Sequence, residues 1–241
     1  MTIINRHLNS IDITGVLFDL DGTLVDTAPD LVNALNLALT EHGYPTKSLE
    51  QVRDAASNGS LALVNAAQPS LSNEDKALIQ QALLVHYARV NGDHALLFDG
   101  IAALLGYLEQ HRIPFGVVTN KAARFARPLL EKLNLISLMP AMISGDSTYY
   151  SKPNAAPMLL AAQQLKCTPR SVLYIGDARR DLEAAHNANM LGAIAMWGYI
   201  AEHDDPATWP QDFSFSRPEE IIALLKQSHP YNNAASNNSY T

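Results

Sequence analysis

The sequence predicts an α/β protein: a doubly wound, mostly parallel Rossmann-like sheet carrying an inserted all-helical domain. Short apolar runs of strand length recur along the chain with amphipathic stretches between them, an alternation that argues for parallel strands joined by helices. One interval between strands, from about Ala28 to Leu96, is far longer than a crossover and holds no convincing strand. The composition, 47% hydrophobic and 17% charged over 241 residues, is that of a globular chain able to bury a sizeable core.

The first strand is expected at Gly15 to Leu20, within an apolar run that begins at Ile13. In the long interval, Asp30 to His42 and Glu74 to Val90 each place apolar residues at helical spacing, so the insertion reads as a helical bundle. Further strands are expected at Phe115 to Thr119, Ala141 to Ser144, Val172 to Ile175 and Ala193 to Trp197, with helices near 100–111, 122–134, 155–166 and 179–190. Residues 1–27 and 97–227 then make the α/β core and 28–96 the helical insertion. Residues 228–241 are Asn/Ser-rich with little apolar content to bury, and are expected to be a flexible tail.

Charge and composition narrow the partners. A formal charge of −7 with scattered Lys and Arg offers no footprint for nucleic acid or an anionic membrane. No apolar stretch approaches the ~20 residues of a membrane span, and the first residues lack a signal pattern, so a cytoplasmic protein is expected. Cys167 stands alone, which excludes an internal disulfide, and no Cys/His cluster has zinc-ligand spacing.

Candidate chemistry begins where the first strand ends. Asp19 and Asp21 are two residues apart, so an extended chain points both the same way. They reach the volume beyond the carboxyl edge of the sheet, where open α/β folds hold ligands. Gly22 lets the backbone turn away sharply. An acidic turn is the plain alternative. A calcium loop also begins with alternating acids, but its sixth position requires Gly, and here that position is Leu24. The second strand ends in Thr119-Asn120, a hydroxyl and an amide. Ser151-Lys152-Pro153 puts a lysine before the helical stretch that starts at Ala155, and Gly176-Asp177-Ala178-Arg179-Arg180-Asp181 closes another strand with two acids on one side of a helix start. A surface lysine and dipole-favoured acids are the plain readings of those two segments.

Together and in this order, the four segments resemble the haloacid dehalogenase superfamily, over about Ile13 to Lys226. The resemblance implies a phosphomonoester hydrolase with an inserted helical cap that acts on a small-molecule phosphate, as a monomer or weak homodimer. It implies Mg2+ held by the Asp19 carboxylate, the Asp21 main-chain carbonyl and Asp177, with Asp181 in support. Asp19 is the implied nucleophile, Asp21 the acid and base, Lys152 the neutralising charge, and Thr119 and Asn120 the groups orienting phosphoryl oxygens. Dehalogenases of the superfamily lack the second aspartate, so Asp21 argues against that activity. A hexose-phosphate mutase shares the motifs and remains open, and an inactive binding module would have lost one of the four charged residues.

The cap segment Ser57-Asn58-Gly59-Ser60 offers small donors and a helix start suited to an anion, or else it is a plain inter-helix turn. Within the superfamily the chain looks most like phosphoglycolate phosphatase-like enzymes. Segments around Arg124 and around Trp197 to Ile200 look like the branch acting on N-acetylmuramic acid 6-phosphate. Arg124 then meets a substrate carboxylate, or it lies on a solvated helix face. One departure is Ala188-Asn189-Met190 where the family usually has Ala-Gly-Met. Asn is the next residue after Gly to tolerate a left-handed helix end.

Overall fold

A computed structural model describes residues 2–3 and 12–228, with only the backbone described for 2 and 3. The chain runs β1 (Thr2–Ile3), β2 (Gly15–Phe18), β3 (Val25–Asp26), α1 (Ala28–Glu41), α2 (Leu49–Val52), α3 (Ser60–Ala67), α4 (Asn73–Val90) and β4 (Leu96–Leu97). It continues through α5 (Ile101–Gln110), β5 (Phe115–Val118), α6 (Ala123–Lys132), β6 (Ala141–Ile143), α7 (Ala156–Leu165) and β7 (Val172–Gly176). Last come α8 (Arg179–Asn187), β8 (Leu191–Ala195), β9 (Phe213–Phe215) and α9 (Glu219–Ser228).

The main sheet has the order β1-β9-β8-β7-β2-β5-β6, parallel throughout except for β1 on β9. From β2 the chain builds outward through β5 and β6, then returns to lay β7, β8 and β9 on the other side. The order therefore reverses between β2 and β7, and their carboxyl ends form the crevice where such sheets bind ligands. Both faces are covered, which is why the strands read as continuous apolar runs rather than alternating ones. Val16 and Phe18 pack with α5, α6 and α9 residues such as Leu104, Leu129 and Leu224, whereas Leu17 packs on the opposite face with Met158 of α7 and Ala184 of α8.

Helices α1 to α4 have a second core of their own. Leu31, Leu35 and Leu39 of α1 meet Ile79, Leu83 and Tyr87 of α4, each set spaced by one helical turn. Ser72 caps α4 by accepting a hydrogen bond from the Asp75 N–H at 3.1 Å. Phe125 of α6 and Tyr199, which follows β8, pack into this second core, and Phe98 lies against both cores. The chain enters and leaves the helices through the β3–β4 ribbon, with Val25 opposite Leu97 and Asp26 opposite Leu96.

Several elements differ from expectation. The strands β1, β3, β4 and β9 are two or three residues long, too short for periodicity to register, and β4 places Leu96 in a strand where none was expected. Helices α2 and α3 are likewise too short for their pattern to stand out. Strand β8 starts at Leu191 rather than Ala193, because Leu191 and Gly192 continue the ladder against Leu173 and Tyr174. Asn189 adopts φ 56°, the left-handed helix end expected of it. The expected flexible tail, beyond Ser228 in α9, lies outside the described residues.

Candidate active site

Three strand ends supply the site. Beyond β2, the Asp19 N–H donates to the Ile175 carbonyl at 2.8 Å, which ties the loop to β7. Gly22 then turns at φ 83°, and a Cβ there would stand 2.1 Å from Asp177 Oδ2. Only glycine fits, since the left-handed conformation and the close approach each exclude a side chain. The turn puts Asp19 and Asp21 over the edge of the sheet, and both line one cavity of about 420 Å3.

Lys152 lies fully inside the protein. Its ammonium is 2.8 Å from Asp19 Oδ1 and 2.8 Å from Asp181 Oδ1, and donates to the Val118 carbonyl and the Tyr174 hydroxyl oxygen, each at 2.8 Å. The main chain of Lys152 is clamped as well. The Asn120 amide donates to the Lys152 carbonyl and accepts from its N–H, both at 3.0 Å. Asn120, expected to orient a ligand, also lines the cavity, and its side chain sets the lysine in place. Thr119 is buried, and its Oγ accepts from the Lys121 N–H at 3.1 Å.

Asp177 and Asp181 flank the start of α8. Asp181 Oδ2 accepts from the Ala178 N–H at 3.0 Å, capping the helix. Its other oxygen, Oδ1, is the one that meets Lys152. Asp177 Oδ2 accepts from the Tyr199 N–H at 2.9 Å and from the Ser57 hydroxyl at 2.6 Å. The buried carboxylates of Asp19, Asp177 and Asp181 each offer an oxygen within 4.8 Å of the others.

That crowding has an electrostatic signature. Burial pushes the Asp19 carboxyl up to about 6 against the pull of Lys152. Burial and the repulsion of Asp19 and Asp181 push Asp177 up to about 7. Burial disfavours the Lys152 ammonium, yet Asp181 and Asp19 outweigh it and hold the lysine above its ordinary value. Arg180 adds a second cation beside the three carboxylates, yet with Lys152 the two leave the cluster short of positive charge. Oxygen-only ligands in such a set suit a hard divalent cation.

The helical insert reaches the site through Ser57 and Asn58. Besides the Ser57 bond to Asp177, Arg180 donates to Asn58 Oδ1 at 2.8 Å and to the Ser57 carbonyl at 2.5 Å. Gly59 adopts φ 87° ahead of α3. Ser57 and Asn58 line both the 420 Å3 cavity and a second of about 260 Å3, which Asp177 and Tyr199 also line. Arg124 also lines the larger cavity, its guanidinium 4.7 Å from the Phe125 ring centroid. Tyr199 does not line that cavity; its hydroxyl donates to Asp26 Oδ1 at 2.6 Å beside the ribbon. Trp197 is partly buried, its indole N–H donating to the Thr23 carbonyl at 3.0 Å.

Sequence reasoning gave no role to Lys121, Arg180 or Tyr174. Lys121 follows Thr-Asn directly, and its ammonium is 2.7 Å from Asp21 Oδ1. Arg180 sits between two motif acids. Proximity to the motifs could have flagged both. Tyr174 reads only as strand core, and nothing in the sequence marks its phenol.

The family model of haloacid dehalogenase-like hydrolases matches residues 16–195. The chain belongs to that family. An N-acetylmuramic acid 6-phosphate phosphatase of Pseudomonas aeruginosa is 37% identical over 214 residues, spanning 88% of this chain and 95% of the relative. A phosphoglycolate phosphatase of Xanthomonas campestris is 36% identical over 206 residues, 86% of this chain and 93% of the relative. Among solved structures, a predicted phosphoglycolate phosphatase from Haemophilus somnus superposes with a TM-score of 0.78 at 26% identity, covering 88% of this chain and 97% of that one. Among the described residues, no helix is long and apolar enough to cross a membrane.

Proposed function

We propose that this family member hydrolyses phosphate monoesters with Asp19 as nucleophile. The observation that carries the reading is Asp19 itself: a buried carboxylate at the sheet's switch point, 2.8 Å from a buried ammonium and two residues from a second acid. A phosphate ester brings about two further negative charges, so the shortage of cations around Asp19, Asp177 and Asp181 calls for a metal. The Asp19 and Asp177 carboxylates with the Asp21 carbonyl would hold Mg2+, and Asp181 would support it from behind. When bound, the ion supplies positive charge beside the phosphoryl oxygens.

Lys152 neutralises Asp19 and holds it for in-line attack. The carboxylate oxygen bonds to phosphorus, the ester oxygen departs, and Asp21 gives that oxygen its proton. An aspartyl-phosphate remains on Asp19. Asp21, now ionised, takes a proton from water as the water attacks phosphorus, and phosphate and Asp19 are released. Asn120 keeps Lys152 in register through both halves.

The substrate class we infer is a carboxylate-bearing phosphate, N-acetylmuramic acid 6-phosphate in preference to 2-phosphoglycolate. The cavity supports this, since about 420 Å3 is within the range of pockets that enclose larger small molecules, and it extends to Arg124 and the Ser57–Gly59 loop. A charge-assisted contact from Arg124 would be worth roughly tenfold to a hundredfold in kcat/KM. A phosphate-release screen should find both carboxylate esters turned over, with the sugar preferred, and Arg124→Ala should lower that preference while sparing glucose 6-phosphate. Preference for phosphoglycolate would remove the sugar reading. Activity persisting in excess chelator would remove the metal, and net conversion of one hexose phosphate to another would favour a mutase.

A further inference from the structure

Lys121 is a buried cation that the reaction as written does not use. Its ammonium is 2.7 Å from Asp21 Oδ1 and 4.6 Å from the centroid of the Tyr87 ring, and its side chain is 9% exposed. The loop that carries it is fixed. The Lys121 N–H donates to Thr119 Oγ at 3.1 Å, and its carbonyl accepts from the Gly145 N–H at 2.9 Å. A Cβ at residue 145 would stand 2.2 Å from the Asn120 carbonyl oxygen, so the loop closes this tightly only over glycine.

The two groups that meet Lys121 come from different parts of the molecule. Asp21 follows β2, whereas Tyr87 belongs to α4 of the helical insert. Thr27 donates to the same Asp21 oxygen as Lys121, at 2.5 Å. Both bonds thus converge on Oδ1, and Oδ2 accepts no hydrogen bond among the described residues. A carboxylate held by one oxygen has a fixed plane and one free oxygen.

We infer that Lys121 is a positioning residue: it anchors Asp21 through Oδ1 so that Oδ2 performs the proton transfers, and Tyr87 of the helical insert holds the lysine there. This rests on the acid and base role proposed for Asp21. The aromatic face stabilises the ammonium at the point where it bonds the carboxylate. Arrival of α4 over the sheet edge therefore completes the placement of Asp21, so the insert contributes to proton transfer as well as to enclosure. The Tyr87 hydroxyl is buried beside the ammonium, so the phenol acts on the lysine through its oxygen as well as through its ring face.

The test compares an alkyl phosphate, the better of 2-phosphoglycolate and N-acetylmuramic acid 6-phosphate, with p-nitrophenyl phosphate, whose leaving group needs no proton. Lys121→Met should lower kcat on the alkyl ester about tenfold to a hundredfold, with KM changed less than about threefold and the aryl ester much less affected. Lys121→Arg should restore part of that loss, and Tyr87→Leu should reproduce about threefold to tenfold of it. Circular dichroism at each variant's assay temperature ensures that folded protein is compared. A rise in KM with kcat unchanged would make Lys121 a substrate-binding group and overturn the inference. So would equal losses on both esters while Asp21→Asn remains selective for the alkyl one. If Asp21→Asn itself loses both equally, the acid and base reading fails first. A Tyr87→Leu enzyme indistinguishable from wild type would overturn the part assigned to the insert.

Discussion

Asp177 shows how a single residue records what the site lacks. Its carboxyl is pushed to about 7 by burial and by two neighbouring acids, against an ordinary value of 3.8. Between those values the folded protein holds a proton that the unfolded chain releases, so stability falls as pH rises through that window. In chelator, wild type should lose melting temperature relative to Asp177→Asn as pH goes from about 4 to about 7, and Mg2+ should restore wild type more than the variant. A difference that grows in the opposite direction would mean that the carboxylate is already compensated within the protein. Residue types were the most legible part of this site. Asp19, Asp21, Lys152, Asp177 and Asp181 were marked by motif and order, and the structure draws them together. The bonds of Asn120 to the Lys152 main chain were not legible, because a sequence shows that an amide stands at a strand end but not whether a main chain will lie across from it. Lys121 and Arg180 act through long side chains on groups 100 and 123 residues away, a relation no local pattern encodes.

The turn after β2 is the element on which this depends most. Gly22 brings Asp177 Oδ2 within 2.1 Å of where a Cβ would be, at φ 83°. The left-handed conformation alone would cost a non-glycine residue roughly 1–2 kcal/mol. Gly22→Ala should lower the melting temperature and reduce kcat more than KM, because the displaced group is Asp177 rather than the cavity's outer wall. A variant with normal turnover would show the crowding to be relieved by a small shift. Strands β2, β5, β6 and β7 were legible because their residues are mostly buried, and α1 and α4 because their 14 and 18 residues repeat an apolar stripe over several turns. The β3–β4 ribbon was hidden by its length, although among the described residues it carries the only strand pairing between the two ends of the insert.

For the whole molecule, the strand order puts the reversal between β2 and β7, and every proposed catalytic carboxylate follows one of those two strands. The helical insert lies over that crevice through Ser57, Asn58 and Tyr87, while Arg180 ties its loop to α8. Sequence spacing located the insert but not its contacts, since packing between separate cores is set by three-dimensional approach. Arg180→Ala should loosen the loop and raise KM severalfold with a smaller change in kcat, as expected when closure rather than chemistry is weakened. A pure kcat effect would place Arg180 on the reacting phosphate instead.

The central claim is that a phosphoryl group passes through Asp19. Acid quenching of single turnovers with radiolabelled phosphate ester and Mg2+, followed by peptide mapping, addresses it directly. Label should appear transiently on the peptide containing Asp19, vanish as phosphate is released, and be absent in Asp19→Asn, whose kcat falls by about 10³-fold or more. Label on another residue, or turnover near wild type in Asp19→Asn, would contradict the mechanism.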